Sequence, residues 1–266
     1  MRQIAEWTAP SRDVFRDEIM PRREPAVLRA IAAHWPLVKA ASRGHDQWLG
    51  MLTANASNEP VEIIRAAPEE QGRFHYAIGG KQLNFIRGRG SLKAYLAALT
   101  EEARVERPHA MAAQGMLAER YLPGFGRSHP MPLAPPDAEP RLWIGNASKV
   151  ATHNDPTDNV AVVAAGRRRF TLFPPEAEPD LYMGPDHPTP AGTPVSLVHV
   201  TAPDLERFPR YAAALEVGLE ADLEPGDGVF IPAHWFHHVE ALERFNMLVN
   251  YWSIPKDNIR AGEAIA

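Results

Sequence analysis

The second half of the chain is a succession of short apolar segments separated by turns rich in glycine and proline. Runs of this kind are typical of β-strands, and many short strands with such turns are typical of a sandwich or barrel of the jelly-roll type. The chain contains 26 prolines and 18 glycines among its 266 residues, which favours this architecture over a helical bundle. The segments are LWIGN, VAVVAA, RRFTLF, GVFIP, FHHVEAL and FNMLVNYWS.

The first half mixes helical and strand patterns. Ser11 caps a predicted helix, SRDVFRDEIM, and Ser91 caps a stronger one, SLKAYLAALTEEARVE, whose apolar residues recur at helical spacing. HDQWLGML is a weaker helical pattern, and residues 121–141 read as loop. Strands are predicted at PAVLRAI, at 61–67 and at 73–78, and a short helix at PDLERFPRYAAALE.

These patterns predict a protein that is mainly β with α, an α+β fold. We expect one domain over residues 1–266, because no long linker interrupts the pattern. It divides into a helix and strand lead-in at 1–140, a β core at 141–253 that contains a helical insert, and a short tail at 254–266.

Composition excludes several classes of function. The formal net charge of −5 argues against general binding to nucleic acid or to anionic lipid. There are no cysteines, which excludes disulfides and thiolate metal sites and fits a reducing cytoplasm. The sequence has neither a signal-peptide pattern nor an apolar run of membrane-spanning length. We therefore expect a cytoplasmic protein with no membrane partner, and we leave its oligomeric state open.

His153 and Asp155 stand at the head of a run, KVATHNDPTDNVAVVAAGRRRFTLFPP, that reads as two strands joined by a glycine turn. Side chains two apart on a strand point to the same face, so the imidazole and the carboxylate are predicted to share one space. Two histidines and one carboxylate, with other positions open, are the ligand set of non-haem iron(II) oxygenases. A His-x-Asp triplet alone is equally consistent with a polar surface loop.

A second histidine source lies far along the chain, in PAHWFHHVEAL. Strand parity places His237 on one face and His238, with His234, on the other. Periodicity does not decide which face is internal, so both His237 and His238 are candidates for the third ligand at this point.

A candidate anion partner follows the glycine turn. Arg168 shares a strand face with Phe170 and Leu172, which predicts an inward-pointing cation that needs a partner. A guanidinium can donate two parallel hydrogen bonds to a carboxylate. The neighbouring Arg167 and Arg169 are interpreted as solvated.

The segments WIGN, THND, GRRRFTLFPP, LEPGDGVFIPAHWFHHVEAL and VNYW, with EPAVLRAIAAHWP near the start, resemble the cupin-like branch of the Jumonji C oxygenases. That family includes the asparaginyl hydroxylase that acts on hypoxia-inducible factor. The resemblance covers nearly the whole chain. It implies a double-stranded β-helix and the use of Fe(II), 2-oxoglutarate and O2.

The resemblance also implies roles for particular residues. It selects His237 over His238 as the third iron ligand beside His153 and Asp155, and it gives Arg168 the far carboxylate of 2-oxoglutarate. The remaining residues that it places near the co-substrate are Asn159, Asn250, Thr152 and Gln114.

Two of these transfers depart from the family pattern. Thr152 stands one position closer to the histidine than in the asparaginyl hydroxylase. The stretch MAAQG keeps Gln114 but lacks the tyrosine that precedes it there, and the replacement for that tyrosine is left open.

The expected function is a 2-oxoglutarate-dependent dioxygenase that hydroxylates a protein or peptide side chain, or a small molecule, while 2-oxoglutarate is converted to succinate. The alternative is a cupin without this activity, either a binder of a sugar or peptide or an isomerase, since one fold supports many functions.

Overall fold

The computed structural model describes residues 1–77 and 82–254. Within these ranges the strands form a six-stranded and a nine-stranded sheet. The strands are β1 Arg2–Gln3, β2 Ala5–Thr8, β3 Ala26–Arg29, β4 Pro60–Ala66, β5 Arg73–Phe74, β6 Phe85–Ser91, β7 Ala110–Leu117, β8 Arg141–Gly145, β9 Ser148–His153, β10 Asp158–Ala165, β11 Arg168–Phe173, β12 Leu219–Leu223, β13 Gly228–Ile231, β14 Phe236–Ala241 and β15 Asn246–Ser253.

The six-stranded sheet has the order β1-β12-β11-β14-β9-β5, and the nine-stranded sheet has the order β2-β3-β13-β10-β15-β8-β7-β4-β6. Most neighbouring strands are antiparallel, as in β10 with β13 and β15. One apolar cluster contains side chains from both sheets, such as Phe170 and Leu172 from one and Val229 and Leu248 from the other. The two sheets therefore pack face to face, which confirms the predicted jelly-roll type of fold.

The nine-stranded sheet is covered on its other face by helices. The α-helices are α1 Arg12–Val14, α2 Pro36–Ala41, α3 His45–Asn55, α4 Leu92–Glu102, α5 Ala118–Tyr121, α6 Phe125–Ser128, α7 Glu178–Leu181 and α8 Tyr211–Val217. The first six belong to this layer, whereas α7 and α8 share an apolar cluster with Phe173 and Phe236 of the six-stranded sheet. The largest apolar cluster joins this layer to β10 through side chains such as Val160 and Val162. Strand β10 is buried on both faces, which explains its uninterrupted apolar sequence.

Several local predictions need correction. The first predicted helix is a single α-turn, α1, followed by a π-helical turn at Phe15–Ile19 and a 3-10 turn at Met20–Arg22. The strand predicted over 73–78 is only β5, and its last residue lies outside the described part of the chain. The loop predicted over 121–141 contains α6. The predicted tail lies outside the description beyond residue 254.

Two β-bulges shape the strands around the space between the sheets. Between the pairs His153–His237 and Val150–Val239, strand β9 supplies two residues where β14 supplies only His238. A bulge of this kind shifts the alternation of side chains by one position. Val150 and His153 are an odd number of residues apart, yet both line the same cavity.

The second bulge lies between β7 and β8. The register shifts between Ala113 and Met116, so that Gln114 and Gly115 stand opposite the single residue Trp143. Gly115 takes a φ of +64°, a conformation that suits glycine. Gln114 and Trp143 both line the cavity between the sheets.

No helix in the described ranges is both long enough and apolar enough to span a bilayer.

Candidate metal centre

Three side chains from two distant segments converge at the end of the space between the sheets. One ligand atom from each of His153, Asp155 and His237 lies within 4.8 Å of the others. The two imidazole rings are 4.3 Å apart between centroids, and His237 Nε2 is 3.8 Å from Asp155 Oδ2. Among the residues that the structure describes, no other set of three His, Cys, Asp or Glu side chains meets this distance criterion.

Asp155 reaches the cluster by a route that strand alternation does not predict. Strand β9 ends at His153, and Asp155 belongs to the turn before β10. The backbone N–H of His234 donates to the Asp155 carbonyl at 2.8 Å, and the Asn154 side-chain amide donates to the His234 carbonyl at 3.4 Å. These bonds tie the turn after β9 to the turn before β14, so the ligands meet through loop contacts as well as strand pairing.

Backbone carbonyls orient both imidazole rings. His153 Nδ1 lies 2.8 Å from the Ala151 carbonyl, and His237 Nδ1 lies 3.2 Å from the Trp235 carbonyl. Hydrogen bonds from Nδ1 to these carbonyls leave Nε2 of each ring free for a metal. Burial, reinforced by the nearby His153, lowers the pKa of His237, so its ring is neutral at neutral pH. A neutral imidazole keeps the lone pair that a metal needs.

His238 points away from this cluster. It lines a separate small cavity on the outer side of the six-stranded sheet, together with His75 and His199. Burial lowers its pKa to about 3. Of the two candidates that parity left open, only His237 lies with His153 and Asp155.

Arg168 lines the same cavity as the three ligands. It is 6% exposed, and its Nε has no hydrogen-bond partner among the described residues. Burial lowers its pKa to about 10, so the side chain is still charged at neutral pH. Arg167 and Arg169 are exposed and pair with Glu243 and Asp222. A buried cation without a partner is costly, and it suits a cavity that takes up an anion.

Two asparagines complete the polar lining. Asn159 and Asn250 both face the cavity, and the Oδ1 of each lacks a partner within the described ranges. Asn159 faces inward because it pairs with Ile231 of β13 and Trp252 of β15.

Thr152 is the one predicted site residue that the structure does not place in the cavity. It is fully buried on the other face of β9, and it lies beside the hydroxyl of Tyr211. The bulge opposite His238 causes this orientation, since it gives His153 the cavity face. The prediction that its hydroxyl lies near the co-substrate is therefore corrected.

Some of the lining was not predicted from the sequence. Phe74 contributes from β5, and Pro190, Ala191 and Val195 contribute from the connection between α7 and α8. The cavity has a volume of about 120 Å³. Its lining joins this connection to both sheets, an arrangement that no periodic signal in the sequence indicates.

Comparison with known proteins agrees with this geometry. The model of a family described as the cupin-like domain matches residues 11–257. The chain belongs to the cupin-like domain family. The resemblance stated from the sequence motifs is thereby confirmed, and so is the fold class.

Among curated members, tRNA wybutosine-synthesizing protein 5 of Danio rerio is 27% identical over 94% of this chain and 75% of its own length. The Lysine-specific demethylase JMJ31 of Arabidopsis thaliana is 36% identical over 42% of this chain. HSPB1-associated protein 1 of Homo sapiens is 36% identical over 48%. The matches cover only 20% and 26% of the lengths of these last two proteins.

The His–Asp–His group gives this cupin-like chain a candidate metal centre, and Fe(II) is the metal to test against it. The donor set fits the metal, because two imidazoles and one carboxylate on one side are the facial ligands of non-haem Fe(II). Neutral nitrogen and carboxylate oxygen donors also match the ligand preference of this ion.

Proposed function

We propose that this cupin-like protein is an Fe(II)- and 2-oxoglutarate-dependent dioxygenase that hydroxylates a C–H bond of its substrate. The observation that carries the proposal is that the three ligands and Arg168, whose Nε has no partner in the described part of the chain, line one cavity. When bound, iron with 2-oxoglutarate and O2 supplies the oxidising chemistry, in which one oxygen atom goes to the substrate and one to succinate, with loss of CO2.

The side chains of the protein hold and orient the reactants. His153, Asp155 and His237 would hold Fe(II). Arg168 begins β11 opposite Ala241, whereas Leu172 pairs with His237, so the cation and the ligands are separated by roughly 13 Å of strand. A long arginine side chain and a dicarboxylic acid can span that length together, with one carboxylate on the guanidinium.

The walls between the two ends exclude water. Phe170, Val239, Ile231 and Leu248 line the cavity from both sheets. In a dry cavity the charge-assisted bond to Arg168 is stronger than it would be in water. Asn159 and Asn250 are proposed to donate or accept hydrogen bonds at the bound co-substrate, since their amides have no other described use.

Adjacent histidines provide a matched test. We expect anaerobic reconstitution to load about one Fe(II) per chain, and 2-oxoglutarate and O2 then to yield succinate. His237→Ala should abolish both, whereas His238→Ala should retain them if its melting curve shows a folded protein. Equal loss in the two folded variants, or no iron in the wild type, would contradict the proposal and favour a binding protein or isomerase on the cupin scaffold.

The substrate remains a separate question. We propose that the substrate is a protein or peptide side chain or a small molecule. We also propose that residues 1–140 and 141–253 form a single domain. The sequence predicts against a nucleic acid substrate, and the name of the Danio rerio relative makes tRNA the polymer with which to test that prediction. The assay is substrate-stimulated succinate formation.

A further inference from the structure

One end of the cavity contains a hydrogen-bond donor that the chain does not use. Trp252 lines the cavity, and its Nε1 is buried without an acceptor among the described residues. By contrast, Nε1 of Trp35 donates to the Pro130 carbonyl at 2.9 Å, and Nε1 of Trp235 donates to the Arg23 carbonyl at 3.1 Å. An indole N–H can only donate, so the ligand that satisfies Trp252 must present an acceptor.

A cation lies on the same tryptophan. The Arg141 guanidinium is 5.4 Å from the centre of the Trp252 ring. Arg141 is half-buried on β8, two residues before Trp143 and therefore on the same face of the strand. Its Nη1 donates to the Gly115 carbonyl at 3.3 Å. No carboxylate pairs with it within residues 1–77 and 82–254, so most of its donors are free.

Arg141 and Arg168 belong to different sheets. Arg168 belongs to the six-stranded sheet and lies beside Ala241 and Leu223. Arg141 belongs to the nine-stranded sheet and pairs with Asn250. Arg168 therefore lines the cavity from the six-stranded sheet, whereas Arg141 lies on the nine-stranded sheet beside Trp252, which lines the cavity.

We propose that Arg141 and Trp252 form an anion subsite for the substrate, and that the substrate is a small molecule with a carboxylate or phosphate next to a planar group. This inference rests on the proposed oxygenase function. The guanidinium fork matches an oxyanion, the indole N–H adds a donor, and the edge-to-face pair of Trp143 and Trp252 supplies a flat apolar wall. The net charge of −5 disfavours a polyanion.

Three probes test the subsite on the full chain loaded with Mn(II) and 2-oxoglutarate. Benzoate and phenyl phosphate are planar anions, and benzamide is a neutral match for benzoate. Binding is read from quenching of tryptophan fluorescence. We expect at least one anion to bind ten or more times tighter than benzamide, and the tighter of the two anions identifies carboxylate or phosphate as the substrate group.

Arg141→Gln should remove this preference while benzamide affinity and 2-oxoglutarate affinity, measured by calorimetry, stay within about twofold. Arg141→Lys should keep part of the preference. Arg168→Gln should have the opposite effects. It should weaken 2-oxoglutarate binding and leave the preference for the anionic probes over benzamide unchanged. Trp252→Phe keeps an aromatic ring but removes the N–H, so it should weaken anion binding several-fold.

Four results would overturn the subsite. The first is equal binding of benzoate, phenyl phosphate and benzamide by the wild type, and the second is loss of 2-oxoglutarate binding in Arg141→Gln. The third is parallel loss of benzamide binding in that variant, which would mean that Arg141 only supports Trp252. The fourth is binding of tRNA or an acidic peptide by a wild-type protein that binds neither small anion. A wild-type protein that binds neither Mn(II) nor 2-oxoglutarate would instead refute the oxygenase function itself, whatever the probes do.

Discussion

The imidazole rings of His153 and His237 lie 4.3 Å apart, from directly paired positions on β9 and β14. Each ring is held by a backbone carbonyl two residues earlier, so the two Nε2 atoms are oriented before any metal arrives. Such preorganisation reduces the entropy cost of binding, because the ligands need not be ordered by the metal. Asp155, held by its carbonyl to the His234 N–H, completes the set.

Removing the carboxylate should abolish tight metal binding. Loss of a group that merely supports a ligand costs about 10–100-fold in affinity, so loss of the ligand in Asp155→Ala should weaken Mn(II) binding by at least about 100-fold. The change should leave the melting temperature nearly unaltered, because the side chain is partly exposed. Calorimetric titration with Mn(II) measures the affinity.

Asp186→Ala is the control, since Asp186 is exposed and outside the ligand group. An unchanged affinity in Asp155→Ala would show that the metal, if bound, is held elsewhere.

Replacing Arg168 should stabilise the folded protein and weaken its binding of 2-oxoglutarate. It is buried and its Nε has no described partner, so Arg168→Met removes a desolvated charge from the empty protein. Replacing a buried charge with an apolar side chain is often stabilising, by about 1–4 kcal/mol. The same change should raise the 2-oxoglutarate requirement well over tenfold, since losing a charge-assisted pair costs roughly 2–5 kcal/mol.

Urea unfolding and a succinate assay measure the two effects of Arg168→Met separately. The neighbouring Arg169→Met is the matched control, because that side chain is exposed and paired with Asp222. It should change neither the co-substrate requirement nor the stability by much. A destabilised Arg168→Met variant with normal 2-oxoglutarate use would mean that the buried cation has a structural partner and not a ligand.

Local sequence patterns accounted for much of the β core and failed where tertiary contacts decide orientation. The apolar run of β10 and the alternation of Arg168 with Phe170 were readable, because burial imposes them directly. The bulge beside His238 was not, since an extra residue in a strand leaves no periodic signal. The family resemblance placed Thr152 near the co-substrate, and no residue pattern tested that transfer. Asp155 was placed on a strand that ends two residues earlier, because the sequence did not mark the end of β9.

The turn between β10 and β11 should tolerate only glycine at position 166. Gly166 has a φ of +69°, and a Cβ there would overlap the Phe245 carbonyl and the Asn246 side chain. Gly166→Ala should therefore lower the free energy of unfolding by roughly 2–5 kcal/mol, the sum of a left-handed backbone and overpacking. Gly192→Ala shares the positive φ, at +86°, but meets open space. It should cost only about 1–2 kcal/mol, and equal losses in urea unfolding would refute the steric part.

The protein should lose stability on mild acidification, in part because of a half-buried histidine outside the metal centre, His199. Burial, followed by the charge of His75, lowers the pKa of His199 from 6.5 to about 4. Arg73 and Lys149 act in the same direction. Between these pH values the unfolded chain binds more protons than the folded one, so stability falls as the pH drops from 6.5 towards 4. The stabilising contribution of neutral His199 is fully present above pH 6.5. Its loss lowers the free energy of unfolding by about 1–2 kcal/mol, after allowing for the partial exposure of the side chain.

His199→Gln should make the pH dependence of unfolding less steep in this window, because that side chain no longer titrates in the unfolded state. His34→Gln is the control, since His34 is exposed and should leave the slope unchanged. The measurement is the urea midpoint at intervals from pH 7 to 4, made without added metal so that ligand protonation at the metal centre does not contribute through binding. An identical slope in His199→Gln and wild type would mean that His199 is as easily protonated in the folded chain as in the unfolded one, against the burial that the structure shows.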